Sequence, residues 1–125
     1  MLDTHALIWA LHDTPRLSGA VRDTISGSET LVFVSSVSAY EIAYKFRLGK
    51  LAFAEALARR FESEIAVPGF ATLGIAPVHA SRAGLLPIKH RDPFDRMLIA
   101  QAQVEQLTLI SNEKLFDQFG VIRLW

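Results

Sequence analysis

Leu31-Val32-Phe33-Val34, followed at once by Ser35-Ser36-Val37-Ser38-Ala39-Tyr40-Glu41, is the stretch on which the fold turns. Its first half is β-branched and aromatic without polar alternation, which marks a strand buried on both faces. Ser26-Gly27-Ser28 punctuates the chain upstream. From Ala39 the pattern changes to a helical one that runs to Leu48 and stops at Gly49, a favourable residue just past a helix end. A buried strand passing directly into a helix is the half-unit of a parallel sheet.

The same alternation recurs along the chain. Thr72-Leu73-Gly74-Ile75-Ala76, Leu107-Thr108-Leu109-Ile110 and Val121-Ile122-Arg123-Leu124 read as further strands. Phe53 to Ile65 spaces Leu57, Phe61 and Ile65 by four, a helix closed by Pro68-Gly69. Phe94 to Glu105 sets Phe94, Met97, Leu98 and Ala102 along one face, Ala6 to Leu11 is a further helical pattern, and Arg16 to Ser28 is polar enough for a surface helix and turn. No repeat, low-complexity tract or linker interrupts them. The expectation is an α/β fold, a three-layer α/β/α sandwich with a mainly parallel central sheet, in one domain over 1–125.

Composition narrows the function. The 125 residues are 50% hydrophobic and 21% charged, with a mass of 13.9 kDa and mean hydropathy of +0.25; this excludes a disordered chain. Thirteen Lys and Arg balance thirteen Asp and Glu, so a uniformly basic nucleic-acid coat is excluded, although a local basic patch is not. With no cysteine there are no disulfides, thiolate metal sites or thiol nucleophiles, in keeping with a reducing cytoplasm. No apolar run reaches the roughly 18–20 residues of a membrane span, and Met1-Leu2-Asp3-Thr4-His5 lacks the features of a signal peptide.

The acids fall in a pattern. Asp3 follows Met1-Leu2, Glu41 follows the Leu31 to Val34 strand, and Glu113 follows the Leu107 to Ile110 strand; Asp92 and Asp95 open the Phe94 helix in Arg91-Asp92-Pro93-Phe94-Asp95-Arg96. Strand-to-helix junctions of an open parallel sheet collect along its carboxyl edge, where ligand sites form. Each acid also has an ordinary reading. Ser38-Ala39-Tyr40-Glu41 has the form of a capping box. Asp92-Pro93-Phe94-Asp95 reads as N-cap, N1 proline and N3 acid. Glu113 could complement a helix dipole. Gathered together, however, they would repel: two unit charges 4 Å apart at an effective dielectric of about 20 cost about 4 kcal/mol. A cation, or protonation of some acids, must relieve such a cluster. Oxygen ligands without cysteine or paired histidines favour Mg²⁺ or Mn²⁺ over zinc, and hard ions held by carboxylates suit phosphoryl transfer.

Leu2-Asp3-Thr4-His5, Ser35 through Ala43, His90 through Ala102 and Leu109-Ile110-Ser111-Asn112-Glu113 resemble, in family order, the PIN domain, and more narrowly the VapC-type toxins of toxin–antitoxin pairs with Asp-Pro-Phe-Asp-Arg. The resemblance implies a cytoplasmic Mg²⁺- or Mn²⁺-dependent endoribonuclease, acting by in-line attack of a metal-bound water on an RNA phosphodiester. It implies Asp3, Glu41, Asp95 and Glu113 as the metal-binding, catalytic quartet, an antitoxin protein as partner, and a homodimer. Glu113 stands where the family usually has Asp. Ser111 takes the place of a supporting hydroxyl, and Asp92 is first a cap and second a metal or supporting acid. The lead before Asp3 is shorter than the family's, so a weakly anchored Asp3 and lowered metal affinity are expected.

Arg96 could meet RNA phosphate or pair with Asp92 four residues earlier. His5, His12, His79 and His90 have no metal-ligand spacing, and His90 beside the acidic block reads as a surface histidine. Lys45, Arg47 and Lys50 read as a solvated last turn rather than a phosphate contact. Trp9 and Trp125 read as packing anchors. The competing function is a PIN-like module that binds RNA or a partner protein without cleaving; retention of all four acids favours the enzyme. A phosphatase or DNA-directed 5′-nuclease ranks lower, because the chain has no additional segment to thread a flap.

Overall fold

A computed structural model describes residues 1–12, 14–87 and 91–125. Its elements follow the predicted alternation: α1 (Thr4–Leu11), α2 (Gly19–Ser26), β1 (Phe33–Ser35), α3 (Ser36–Arg47), α4 (Glu55–Arg59), α5 (Phe61–Ala66), β2 (Ala71–Leu73), α6 (Pro77–Leu85), α7 (Pro93–Val104), β3 (Leu109–Ile110) and β4 (Arg123–Leu124). Short 3₁₀ segments at Ala52–Ala54 and Lys114–Phe119 complete the chain.

The sheet is parallel and is centred on one residue. β1 pairs with β2 and β3 with β4, while Leu2 bridges Val34 on one side and Ile110 on the other. The spatial order is therefore β2, β1, Leu2, β3, β4. Backbone bonds from Leu2 N to Phe33 O (2.9 Å), Asp3 N to Ile110 O (3.0 Å) and Ile110 N to Met1 O (2.8 Å) lock this centre. The expected weak anchoring of Asp3 is thus not what the fold shows: two residues, Met1 and Leu2, are gripped from both sides.

Strand alternation divides the interior. Leu2, Val34 and Ile110 face one core with Ala6, Leu7, Val21, Leu57 and Ile65; Met1 and Leu109 face the other with Val37, Leu98, Ile99, Ala102 and Phe116, and Phe33 and Leu73 pack against it. Helices cover both faces, as in the expected three-layer α/β/α arrangement.

Three local readings change. Phe53 to Ile65 is not one helix: Arg60, at φ −136° and ψ 42°, divides α4 from α5, and the break still lets Leu57 and Ile65 bury and Phe61 pack against their core. α6 had no counterpart in the apolar pattern. It opens on Pro77 and buries His79 and Ala83, a polar and a small residue, so its inward stripe is faint in hydropathy. His79 is tied instead by hydrogen bonds: Nδ1 accepts from Ala76 N (2.9 Å), which leaves Nε2 to donate to Glu105, the residue that caps the end of α7 (2.8 Å). Finally, α3 begins directly at the end of β1, with Ser35 as its cap accepting from Val37 N at 3.0 Å. The Ser38–Glu41 capping box is therefore replaced: both residues lie inside the helix, and their side chains are free for another use.

Candidate active site

The strand order reverses at Leu2, between β1 and β3, which makes the carboxyl end of the sheet there a switch point. Asp3 leaves the central strand at that place, α3 leaves β1 beside it, and Ser111 follows β3. Asp3 caps α1, its Oδ1 accepting from Ala6 N at 2.6 Å. It is buried, 5% exposed, and also accepts a hydrogen bond from the Ser111 hydroxyl. Burial pushes its carboxyl above the usual carboxylate range, and the charge of Glu41 adds to this. The Ser111 and Ala6 hydrogen bonds and the positive character of His5 oppose it.

Glu41 enters from the second turn of α3 and is buried as well. Thr4 Oγ1 donates to its Oε2 at 2.5 Å. Because that single hydroxyl hydrogen is engaged, the 2.9 Å contact between Thr4 and Ser38 has Ser38 as donor. Lys45, one turn on, places Nζ 2.5 Å from Glu41 Oε1. Lys45 therefore departs from the solvated-turn reading. Arg47 lies over the Tyr44 ring, 5.3 Å from its centre, and Lys50 is exposed.

The remaining acids lie further out. Asp92 is the N-cap of α7, its Oδ1 accepting from Phe94 N (2.8 Å) and Asp95 N (3.4 Å), as the motif predicted. Asp95, in the first turn, is half-buried. Glu113 is exposed and caps the Lys114–Phe119 turn, accepting from Leu115 N at 3.2 Å. Its own N–H donates to Ser111 Oγ (3.0 Å), so Ser111 couples the outer acid to the inner one.

Asp3, Glu41, Asp92, Asp95 and Glu113 line one polar cavity of about 110 Å³, together with Thr4, His5, Lys45, Asn112 and Phe116. At about 30 Å³ per water this is room for three or four waters or a hydrated ion, so a polymeric substrate would meet the acids at the mouth. All four quartet residues predicted from the sequence reach this cavity. Arg96 turns elsewhere: its guanidinium donates to the carbonyls of Ala83 (3.0 Å), Gly84 (3.2 Å) and Leu86 (2.8 Å), closing the end of α6. His90 lies outside the described residues. Trp9 and Trp125 meet edge-on at 5.5 Å and pack against the core. Sequence reasoning missed Thr4 and Lys45 as partners of Glu41, and Ser38 as the partner of Thr4. The i to i+4 spacing of Glu41 and Lys45 was the available signal for that pair.

The acidic donors are oxygens, and five carboxylates share the cavity with one ammonium; this chemistry fits a hard divalent cation. Its arrangement is open. Among the described residues, no group of three or more Asp, Glu or His side chains is drawn together so as to hold an ion. Also among the described residues, no helix is long and apolar enough to cross a membrane.

No curated protein matches the chain. Among solved structures, the chain is similar to one in VapBC2 from Rickettsia felis bound to a fragment of its promoter DNA, with TM-score 0.71 and 17% identity, covering 100% of this chain and 97% of that one. It is similar also to a chain of DNA-bound VapBC from Salmonella typhimurium, with TM-score 0.63 and 21% identity, covering 100% and 95%. These likenesses are of fold. The PIN domain profile matches residues 1–122, nearly the whole chain, and with the acids gathered at the switch point of a parallel sheet the chain belongs to the PIN domain family.

Proposed function

We propose that this chain is a divalent-metal-dependent endoribonuclease of the VapC type, the toxin of a toxin–antitoxin pair. PIN domains are generally nucleases. The observation that carries the reading here is the convergence of Asp3, Glu41, Asp95 and Glu113 on one small polar cavity at the sheet's switch point. Those four acids would hold Mg²⁺ or Mn²⁺. Asp3 and Glu41 form the inner wall, Asp95 and Glu113 the outer, and Ser111 orients Asp3 while fixing the backbone of Glu113. When bound, the ion supplies a nucleophile from water at neutral pH and neutralises the departing oxygen. Asp92 sets the start of α7, and through it the place of Asp95, while Arg96 holds α6 against α7. Thr4 Oγ1, the cavity's hydroxyl, gives its hydrogen to Glu41 Oε2 and so holds that carboxylate in place; in this reading the acids would act through a water activated by the ion, with no covalent intermediate on the chain.

That the similar solved chains come from VapBC assemblies supports an antitoxin protein as partner, and a homodimer and a cytoplasmic setting belong to the same reading. RNA affinity would come from the ion and local Lys and Arg, and should fall steeply with salt. The competing reading, a PIN module that binds RNA or a protein without cleaving, has one observation in its favour, the open arrangement of the acids. The deciding experiment is cleavage of a mixed RNA pool by purified protein with Mn²⁺, Mg²⁺ or chelator, beside Asp3→Asn and Asp95→Asn. Cleavage that needs the ion and both acids supports the nuclease. A folded, metal-supplied chain that leaves RNA intact supports the binding module.

A further inference from the structure

Lys45 is the feature of the cavity that the quartet leaves unexplained. Among the described residues lining it, Lys45 supplies the single ammonium or guanidinium group, facing five carboxylates. It leaves α3 one turn after Glu41 and directs Nζ back to Oε1 at 2.5 Å, with 30% of its side chain exposed against 7% for Glu41. The other Glu41 oxygen is held by Thr4, itself held by Ser38. One oxygen of this carboxylate is thus fixed by neutral hydroxyls, and the other is paired with a mobile charge on a flexible stem that reaches the cavity mouth. Lysine binds as a hydrated point charge with rotatable donors, suited to exchanging one anionic partner for another.

We propose that Lys45 is the resident counter-ion of Glu41, giving way to a divalent cation and then binding the phosphodiester of the incoming RNA. This rests on the nuclease reading for its second half only. In the metal-free chain the ammonium offsets the negative charge that Glu41 and Asp3 place together, and it competes with an ion for Oε1. Once an ion takes that oxygen, the released ammonium is at the mouth of the cavity, where a polymeric substrate must bring its phosphate past exposed Asp92 and Glu113. A cation there opposes the repulsion between those acids and the anionic backbone. The neighbouring Lys50 is exposed and does not line the cavity, so it shares neither role.

The test compares Lys45→Met and Lys45→Arg with wild type and a Lys50→Gln control. Mn²⁺ binding to RNA-free protein is titrated by calorimetry, and binding of a fluorescein-labelled single-stranded RNA is followed by anisotropy in Ca²⁺. Removing a competing charge at contact distance should tighten Mn²⁺ binding in Lys45→Met by about tenfold, while RNA binding weakens by about as much. Cleavage should then show a raised KM. Lys45→Arg should return both affinities toward wild type, and Lys50→Gln should change neither. Unchanged or weaker Mn²⁺ binding in Lys45→Met overturns the counter-ion role, and unchanged RNA binding overturns the phosphate contact. If Lys45→Met does not melt cooperatively, Lys45→Gln carries the same comparison. A wild type that binds Mn²⁺ but cleaves nothing removes the nuclease reading, while the calorimetric arm still decides whether Lys45 competes with the ion.

Discussion

The inner and outer walls of the cavity are made of the same functional group held in opposite ways. Asp3 and Glu41 are buried, the first at the end of the central strand and the second on the second turn of α3, and are surrounded by hydroxyls and one ammonium. Asp92 and Glu113 are exposed, and each has a complete structural occupation as a cap. An exposed capping acid contributes roughly 0.5–2 kcal/mol and needs no function to explain it. Burying a carboxylate costs stability unless it is paired or hydrogen-bonded, and Asp3, whose ionisation its burial opposes, carries such a cost. The inner pair is therefore the stronger evidence for chemistry, and the outer acids acquire meaning from sharing its cavity.

The largest effect should come from separating the charge of Asp3 from its cap. Asn is as good an N-cap as Asp, so Asp3→Asn keeps the bond to Ala6 N and removes the buried charge. Cleavage should fall at least about a hundredfold, roughly the loss of a 2.7 kcal/mol contribution to the transition state, while Tm stays level or rises. Asp3→Ala should lose the same activity and in addition about 1 kcal/mol of stability through the lost cap. A parallel fall of Tm and activity in Asp3→Asn would show that the carboxylate is structural.

Next in size is the response to an ion. Saturating Mn²⁺ at about 100 times its Kd should stabilise the fold by about 2.7 kcal/mol, read as a rise in Tm that chelator reverses. Asp3→Asn should abolish most of the rise. Glu113→Gln should keep most of it, because Glu113 stands at the exposed rim. Equal losses in the two variants would erase the distinction between the walls.

The sign of the pH dependence follows from Asp3. Its folded carboxyl titrates above the unfolded one, so between the two values the native chain binds more protons than the unfolded chain. The stabilising contribution of protonated Asp3 is fully present below the unfolded value and is lost as pH rises through the folded value. In chelator, wild type should accordingly lose stability relative to Asp3→Asn as the pH is raised from the ordinary aspartate range through the raised value of the folded carboxyl. Thermal melts of the two proteins at matched pH values check this, and curves that stay parallel refute it.

How much of this was legible without coordinates depended on whether a local rule or a tertiary contact placed the residue. The passage from Phe33 to Glu41 announces a buried strand and a helix through period alone. The cap at Asp92 follows from the proline and acid after it, and both were found. The rule that junctions of a parallel sheet share an edge drew Asp3, Glu41 and Glu113 together, while Asp95, on a helix that follows α6 rather than a strand, joined them as a quartet only through the resemblance to PIN domains. Residues set by tertiary partners were not legible. α6 buries a histidine satisfied by Glu105, so its inward face lacked hydropathy contrast. Ser38 and Glu41 satisfy a capping-box pattern that fails because Ser35 already starts the helix. Arg96, which reads as a phosphate contact or a partner of Asp92, serves the carbonyl end of α6, an element the sequence pattern had not revealed.

The smallest expected effect probes the outer wall alone. Glu113→Asp shortens the side chain by one methylene while keeping the charge, and Asp is at least as good a cap at that position. Tm should shift by less than about 2 °C, since an exposed, charge-conserving change is worth under about 0.5 kcal/mol. Cleavage should change by no more than about tenfold, and Mn²⁺ affinity should move in the same direction as cleavage, because the same carboxylate reaches the same cavity from a fixed 3₁₀ turn. The informative quantity is the ratio between this effect and that of Asp3→Asn. If shortening Glu113 costs as much activity as neutralising Asp3, the rim acid ligates as closely as the buried one, and exposure is no guide to which carboxylates hold the ion.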